Sequence, residues 1–484
     1  MKKLTDILKN TPVRELCGDT AAAIGGLVYD SRAVKPGDCF FAVPGTQSDG
    51  HDYIPMAVEK GAAAIVCERM PADAAEGVAY VLVGDSAGAM ADMAAAFYDY
   101  PSRELKLVGI TGTNGKTTTA TLLYDLVRAM GYKAGLISTV VYKIDGREVE
   151  ATHTTPDSIR LNAMMREMAD AGCAYCFMEC SSHAIVQERT RGLDFAGGIF
   201  SNITHDHLDY HKTFAEYIRA KKLFFDGLPK GAFALTNADD RNGRVMVQNT
   251  AAAVSAYSLR AMADFRCKIV EMHLDGMLLR IDGQELWVGL LGRFNAYNLL
   301  AVYGAAALLG LDRGEVLRVL SMLHAVSGRF EKIRAANGTT AIVDYAHTPD
   351  ALENVIQTIE EIRTPGQQLI VVCGCGGDRD RTKRPEMAAI AVKYATMAVF
   401  TSDNPRHESP EAILDDMVAG LEPGARYLRI ADRAEAIRTA VMLSRPGDII
   451  LVAGKGHETY QIVGDVKHPF DDREEIKKRF ALLN

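Results

Sequence analysis

The sequence predicts an α/β fold of three domains, and three observations predict it. The chain has 484 residues, room for about three domains of ~150 residues each. An apolar run, Leu105-Lys-Leu-Val-Gly-Ile110, leads into the glycine-rich turn Gly112-Thr-Asn-Gly-Lys-Thr117 and then into Leu122, Leu123, Leu126, Val127 and Met130 at helical spacing. Short apolar runs alternate with helical patterns on both sides of position 331, as expected of parallel sheets with crossover helices.

In residues 1–100, Leu27-Val-Tyr29, Cys39-Phe-Phe-Ala-Val43 and Ala63-Ala-Ile-Val-Cys67 read as strands, and Met56 to Gly61 as a helix end. Tyr100-Pro101-Ser102 reads as a linker. Residues 101–331 form the second domain, a parallel sheet around the glycine-rich turn. Its stretch 265–287 differs, because Asp275-Gly276 and Asp282-Gly283 are hairpin signals within short strands. In residues 332–484, four strands are expected: Thr340-Ala-Ile-Val-Asp344, Leu369-Ile-Val-Val-Cys373, Met397-Ala-Val-Phe-Thr401 and Asp448-Ile-Ile-Leu-Val-Ala453. Each ends in a polar or glycine-rich loop, where ligands of such sheets are expected.

Composition excludes several classes. Hydrophobic residues make up 48% and charged residues 24%, as in ordinary globular proteins. A net charge of −8 argues against general nucleic-acid binding. No apolar segment follows Met1-Lys-Lys-Leu-Thr-Asp6 and no run approaches the ~18 apolar residues of a membrane span, so a cytoplasmic protein is expected. Nine cysteines, an odd number, fit reduced thiols. Cys173-Ala-Tyr-Cys176 has the spacing of a zinc or redox pair, yet it lies in a strand pattern without a second pair, so both read as core thiols. Cys373 and Cys375 also lack partners.

The turn at 112–117 carries the chemistry. Backbone N–H groups and the positive helix end would face an anion, Lys116 would reach outer phosphates, and the Thr117 hydroxyl would hold Mg²⁺. Ile110 stands where the standard phosphate loop has its first glycine. Glu179, in Met178-Glu-Cys-Ser-Ser-His183, is a hard oxygen donor suited to Mg²⁺. The segment 201–211 carries three histidines and two aspartates; zinc is conceivable, but the phosphate loop favours Mg²⁺ with a nucleotide, with His207 near the metal. By itself Lys221 reads as a solvated helix lysine. Asn237-Ala-Asp-Asp240 and Gly292 to Asn298 read as polar turns, although the Asn295 amide could read an adenine edge. Asp344-Tyr-Ala-His-Thr-Pro-Asp350 and Asp378-Arg-Asp-Arg-Thr-Lys-Arg384 bring charge to strand ends, and Arg forks suit carboxylates and phosphates.

Taken in order, Gly112-Thr-Asn-Gly-Lys-Thr-Thr118, Glu179-Cys-Ser-Ser-His183, Asn202 to His211, Gly292 to Asn298, Gly328-Arg-Phe-Glu331 and Asp344-Tyr-Ala-His347 resemble the Mur ligase family over essentially the whole chain. These are ATP-dependent amide-forming enzymes of peptidoglycan synthesis. The resemblance implies an N-terminal UDP-binding domain, a central phosphate-loop ATPase domain and a C-terminal Rossmann-like domain that binds the amino acid. Within the family the chain is most similar to the ligase that adds the third peptide residue to UDP-N-acetylmuramoyl-L-alanyl-D-glutamate.

The resemblance implies ATP contacts at Gly112, Thr113, Asn114, Gly115, Lys116, Thr117, Thr118, Asn295, Arg329 and Asp344. It implies UDP-substrate contacts at Ser31, in Asp30-Ser-Arg32 beside Gly45-Thr-Gln-Ser-Asp-Gly50, and at Thr154, Thr155, Ser181, Gln187 and Arg189. His153 precedes the Thr pair where the family pattern has Asn. Asp403, Asn404, Pro405 and Arg406 match the motif for meso-diaminopimelate rather than L-lysine, with Arg379, Gly454 and Glu458 as further contacts. The metal set becomes Thr117, Glu179, His207 and Lys221, the last carbamylated, which replaces the solvated reading. Lys116, Glu179, His207 and Lys221 are then the catalytic candidates in a monomeric enzyme that passes through an acyl phosphate. The competing expectations are an L-lysine-adding ligase, the D-alanyl-D-alanine-adding sister, a folylpolyglutamate synthase-like ligase, and a phosphate-loop switch without ligation.

Overall fold

Strand order decides where the loops meet. The computed structural model describes residues 1–45, 48–204 and 208–483. Among these residues the central sheet has eleven strands, parallel through its middle. Lys106–Thr111 lies between Tyr175–Glu179 and Gly197–Phe200, all three running the same way. Glu179 pairs with Ile110 and Phe200 with Thr111, so three strand ends open onto the glycine-rich turn together. Antiparallel hairpins close the sheet at both edges, Val141–Ile144 with Arg147–Glu150 and Gly276–Ile281 with Gln284–Val288. The expected excursion at 265–287 is therefore present. Asp282 and Gly283 both take positive φ, 47° and 84°, as a tight two-residue hairpin turn requires.

The glycine-rich turn is followed by the helix Lys116–Ala129, which buries Leu122, Leu123, Leu126 and Val127 against the sheet. Each such side chain contributes about 1.5–3 kcal/mol relative to exposure. Cys173 and Cys176 are buried with a free thiol each, and burial pushes both thiols up, consistent with core residues.

The N-terminal sheet runs Val13–Cys17, Ala79–Val83, Ala64–Cys67, Cys39–Phe41, Leu27–Val28, parallel except for the first strand. Sequence patterns had given the last three of these. Val13–Cys17 was not legible because it is largely exposed, without an apolar face.

The C-terminal sheet runs Glu331–Arg334, Thr340–Asp344, Ile449–Ala453, Leu369–Cys373, Met397–Phe400, Tyr427–Arg429. Its first pairing is antiparallel and the rest are parallel, as the four expected strands require. The carboxyl ends of Thr340–Asp344 and Ile449–Ala453 lie side by side, with Asp344 opposite Ala453. One apolar cluster continues from the central sheet through Leu290 and Leu291 to Leu352 and Val355, so the two halves share a core. Among the described residues no helix is long and apolar enough to cross a membrane.

Candidate active site

The glycine-rich turn is built by close approach. A Cβ on Gly112, whose φ is 147°, would lie 2.0 Å from Ser201 Oγ, and one on Gly115 would lie 2.4 Å from Asn298 Oδ1. The turn is braced from the neighbouring strand end. Asn114 N donates to Asn202 Oδ1 at 3.0 Å, and Ser201 Oγ donates to Asn114 O at 2.6 Å. Lys116 Nζ curls back to the carbonyls of Gly112 (2.9 Å) and Thr113 (2.8 Å). Thr117 Oγ1 accepts from Arg329 Nη2 at 3.2 Å, across the junction of the two sheets.

Thr113 to Thr117, Ser201, Asn202, Asn298 and Arg329 line a cleft of about 490 Å³ that also takes in Thr118, Glu179, Lys221, Asp344 and Asp350. Glu179 is 1% exposed and accepts from Thr139 N at 2.7 Å. Lys221 is equally buried, and its Nζ donates to Gly112 O at 2.7 Å. The reading of Lys221 as a solvated lysine fails: the helix Phe214–Asp226 buries Tyr217, Ala220, Lys221, Phe224 and Phe225 on one face. Its ammonium lies 4.7 Å from the Tyr217 ring centre.

His207, with His205 and Asp206, lies outside the described residues. His211 bonds Ser182 Oγ at 2.9 Å. Among the described residues no group of three His, Cys, Asp or Glu could hold a metal.

Asn295 Nδ2 donates to Leu291 O at 2.8 Å and its Oδ1 accepts from Asn298 Nδ2 at 3.1 Å. Asn298, three residues on, lines the cleft. Asp344 accepts from Phe330 N (2.7 Å) and Ala346 N (2.8 Å). Burial pushes its carboxyl up, opposed by the Arg329 guanidinium.

A second group gathers at the cleft rim. Thr155 Oγ1 donates to Glu179 O at 2.7 Å and lies 3.4 Å from Ser181 Oγ. Arg189 holds Thr155 O (2.7 Å) and Gln187 Oε1 (2.6 Å), while Thr154 accepts from Thr139 Oγ1 at 3.1 Å. Ser31 is buried on the short helix Ser31–Ala33. The neighbouring Tyr29 feels the charges of Asp157 and Arg189, which brings this segment toward the same group. Thr46 and Gln47 lie outside the described residues.

A third group forms at the ends of the C-terminal strands. Asn404 Nδ2 donates to Glu458 Oε2 at 2.9 Å. Arg406 takes a left-handed φ of 50°, and its Nη1 donates to Gly377 O at 2.9 Å. Burial and then the neighbouring Arg379 push the Arg406 guanidinium down, against the pull of Asp403 and Glu458. Pro405 closes the turn through its carbonyl, which accepts from Glu408 N at 3.1 Å. Gly454, at φ 116°, passes beside the Asp403 carboxylate, 3.1 Å from where a Cβ would sit. Lys455, fully buried between Gly454 and Glu458, escaped the sequence reading; its position inside Gly454-Lys-Gly-His-Glu458 was the available signal. Asp350, in sequence only the end of the Asp344–Asp350 motif, accepts from Asn114 Nδ2.

Residues 23–98 match the description Mur ligase family, catalytic domain; 110–306 match Mur ligase middle domain; and 328–456 match Mur ligase, glutamate ligase domain. The Phocaeicola vulgatus protein named UDP-N-acetylmuramoyl-L-alanyl-D-glutamate--2,6-diaminopimelate ligase is 55% identical over 481 residues, 99% of each chain. A Bacteroides fragilis protein of the same name is 55% identical over 482 residues, again 99% of each. A solved structure of a protein with that name superposes with a TM-score of 0.68 at 32% identity, covering 95% of each chain.

Proposed function

The chain belongs to the Mur ligase family, and from that premise we propose that it is the ATP-dependent ligase joining meso-diaminopimelate to UDP-N-acetylmuramoyl-L-alanyl-D-glutamate. The observation that carries the reading is the Thr155 hydroxyl on the Glu179 carbonyl at 2.7 Å. It sets the group expected to hold the muramoyl dipeptide against the phosphate-binding turn, so a substrate carboxylate and a γ-phosphate would meet in one cleft.

The D-glutamate γ-carboxylate attacks the γ-phosphorus of ATP; the bond to the β,γ-bridging oxygen breaks, giving an acyl phosphate and ADP. The amine of diaminopimelate then attacks the acyl carbon, phosphate leaves with the carbon–oxygen electron pair, and the amine loses a proton. The chain's part is placement and charge. The N–H groups at the start of Lys116–Ala129 and the Lys116 ammonium would neutralise the transferring phosphoryl group. Arg329 and Asp344 would hold the nucleotide from the C-terminal side. Thr154, Thr155, Ser181, Gln187, Arg189 and Ser31 would hold the UDP-linked acceptor.

The donor set fits Mg²⁺. Thr117 offers a hydroxyl and Glu179 a carboxylate in the same cleft, and Mg²⁺ commonly takes one or two carboxylates plus phosphate oxygens. Carbamylation would convert Lys221 from a cation into a further anionic oxygen donor, and His207 completes the proposed set. Bound there, the ion would neutralise phosphate charge. The reading also takes the enzyme as a cytoplasmic monomer.

The test is phosphate release with ATP, Mg²⁺ and the UDP-dipeptide, comparing meso-diaminopimelate with L-lysine and weighing the nucleotide product. Release with diaminopimelate and a gain of one residue's mass are expected. Release with lysine instead keeps the ligase and overturns the amino-acid assignment. Release with neither overturns the reading in favour of a folylpolyglutamate-type ligase or a switch.

A further inference from the structure

Lys455 is completely buried at the end of the strand Ile449–Ala453. Its ammonium donates to Asn404 Oδ1 at 3.1 Å and Glu458 Oε2 at 3.0 Å, and it stands 3.7 Å from Asp403 Oδ1. Asn404 Oδ1 also accepts from Ile462 N at 3.0 Å. With two donors on its oxygen, the Asn404 amide has one orientation: oxygen toward Lys455, Nδ2 toward Glu458 at 2.9 Å. Asp403 Oδ1 is buried without a hydrogen-bond partner, an acceptor still to be met. Arg406 lies on the same loop and within electrostatic reach of Asp403 and Glu458.

One ammonium therefore joins two acids and one amide, and leaves Asp403 Oδ1 an acceptor beside a guanidinium. A ligand end carrying both an amine and a carboxylate matches that set, the amine on the acids and the carboxylate on Arg406. Resting on the reading of the site as a diaminopimelate site, we infer that Lys455 is a positioning residue for its specificity. It fixes the Asn404 amide and keeps Asp403 and Glu458 drawn together, so that the far amine and carboxylate of a diamino diacid are read as a pair.

The experiment compares wild type with Lys455→Met, whose length is similar but whose charge and donors are gone. The expected result is a KM for meso-diaminopimelate raised about 10- to 100-fold, from the loss of charge-assisted hydrogen bonds, with KM for ATP and the UDP-dipeptide within about twofold. The preference for the meso over the LL isomer should fall by a similar factor, because the far stereocentre is no longer held. A lysine that merely supported the fold would lower activity toward all substrates together and leave isomer preference alone. Should Lys455→Met not fold, Lys455→Gln, which keeps a donor for Asn404, takes its place with the same expected direction. An unchanged KM and isomer preference in a folded variant overturns the inference. Absence of wild-type turnover overturns the functional reading itself and the inference with it, a result visible before any variant is made.

Discussion

Asn114 Nδ2, in the glycine-rich turn, donates to Asp350 Oδ2 at 2.9 Å, although the two residues stand 236 apart in sequence. Asp350 opens the helix Pro349–Ile362 of the C-terminal sheet, and the same oxygen accepts from Thr204 Oγ1 at 3.3 Å. Together with Arg329 on Thr117, this contact ties the glycine-rich turn and its helix to the C-terminal half at two points. An acyl phosphate formed between them would be shielded from water, which such an intermediate requires.

The junction has a pH signature. Burial pushes the Asp350 carboxyl up, against hydrogen bonds from Thr204, Asn354 and Asn114. A raised value means the folded state holds the proton more tightly than the unfolded chain. Its stabilising share is complete below the ordinary carboxylate range and is lost as pH rises through the folded value. Asp350→Asn cannot ionise yet keeps an acceptor for Asn114. Its melting temperature relative to wild type should therefore climb as the pH rises through and above the ordinary carboxylate range. A difference that stays flat across that range would mean the carboxyl is not penalised by burial.

Lys116 tests the phosphate site. Its Nζ rests on two backbone carbonyls of its own turn, so the side chain is already aimed inward. Lys116→Ala should lower kcat about 10³-fold or more, because charge on the transferring phosphoryl group loses its preset counter-charge. The melting temperature should change little. Near-normal turnover would remove the turn from the chemistry.

The parallel strands that carry the glycine-rich turn and the C-terminal loops were legible because they are continuous apolar runs ending in polar loops, whereas Ala79–Val83 and Tyr427–Arg429 were not read. What was not legible depends on which way a side chain faces. The pattern around Lys221 by itself fits either an exposed or a buried lysine; the family resemblance favours the second, and the packing of Phe214–Asp226 against Gly112 shows it buried. Asn295 and Asn298 are both amides on one helix face, and their mutual hydrogen bond is invisible in sequence. The hairpin Tyr460–Val463 with Val466–Pro469 was missed because its strands are short and mostly exposed, yet Ile462 helps orient Asn404.

Arg406 tests amino-acid choice. Diaminopimelate carries a second carboxylate where lysine has hydrogen, and a half-buried guanidinium left without that carboxylate disfavours lysine. A site of this kind rejects the analogue by about 10⁴ or more. Arg406→Ala should reduce that preference to roughly tenfold, measured as the ratio of kcat/KM values. A variant that keeps the wild-type ratio would show that another group reads the distal carboxylate.

Gly377 tests how the Arg406 loop is held. Gly377 N donates to Asn404 O at 2.9 Å, and Gly377 O accepts from Arg406 Nη1 at 2.9 Å, so the loops after two neighbouring strands are zipped together. A Cβ on Gly377 would lie 1.9 Å from Pro405 O and 2.8 Å from Pro405 C. Both are backbone atoms, so no side-chain rotation relieves the clash, and one loop must move by about 1 Å in an interior that packs tightly. A displacement of that size at a positioning group can lower turnover about 10²-fold. Gly377→Ala should therefore cut kcat/KM for meso-diaminopimelate by about that factor. KM for ATP should stay within about twofold, because the phosphate-binding turn belongs to the other sheet. Weakened ATP binding of the same size would mean instead that the substitution disturbs the whole C-terminal sheet, and Gly377 would then be a structural residue rather than the clasp of the Arg406 loop.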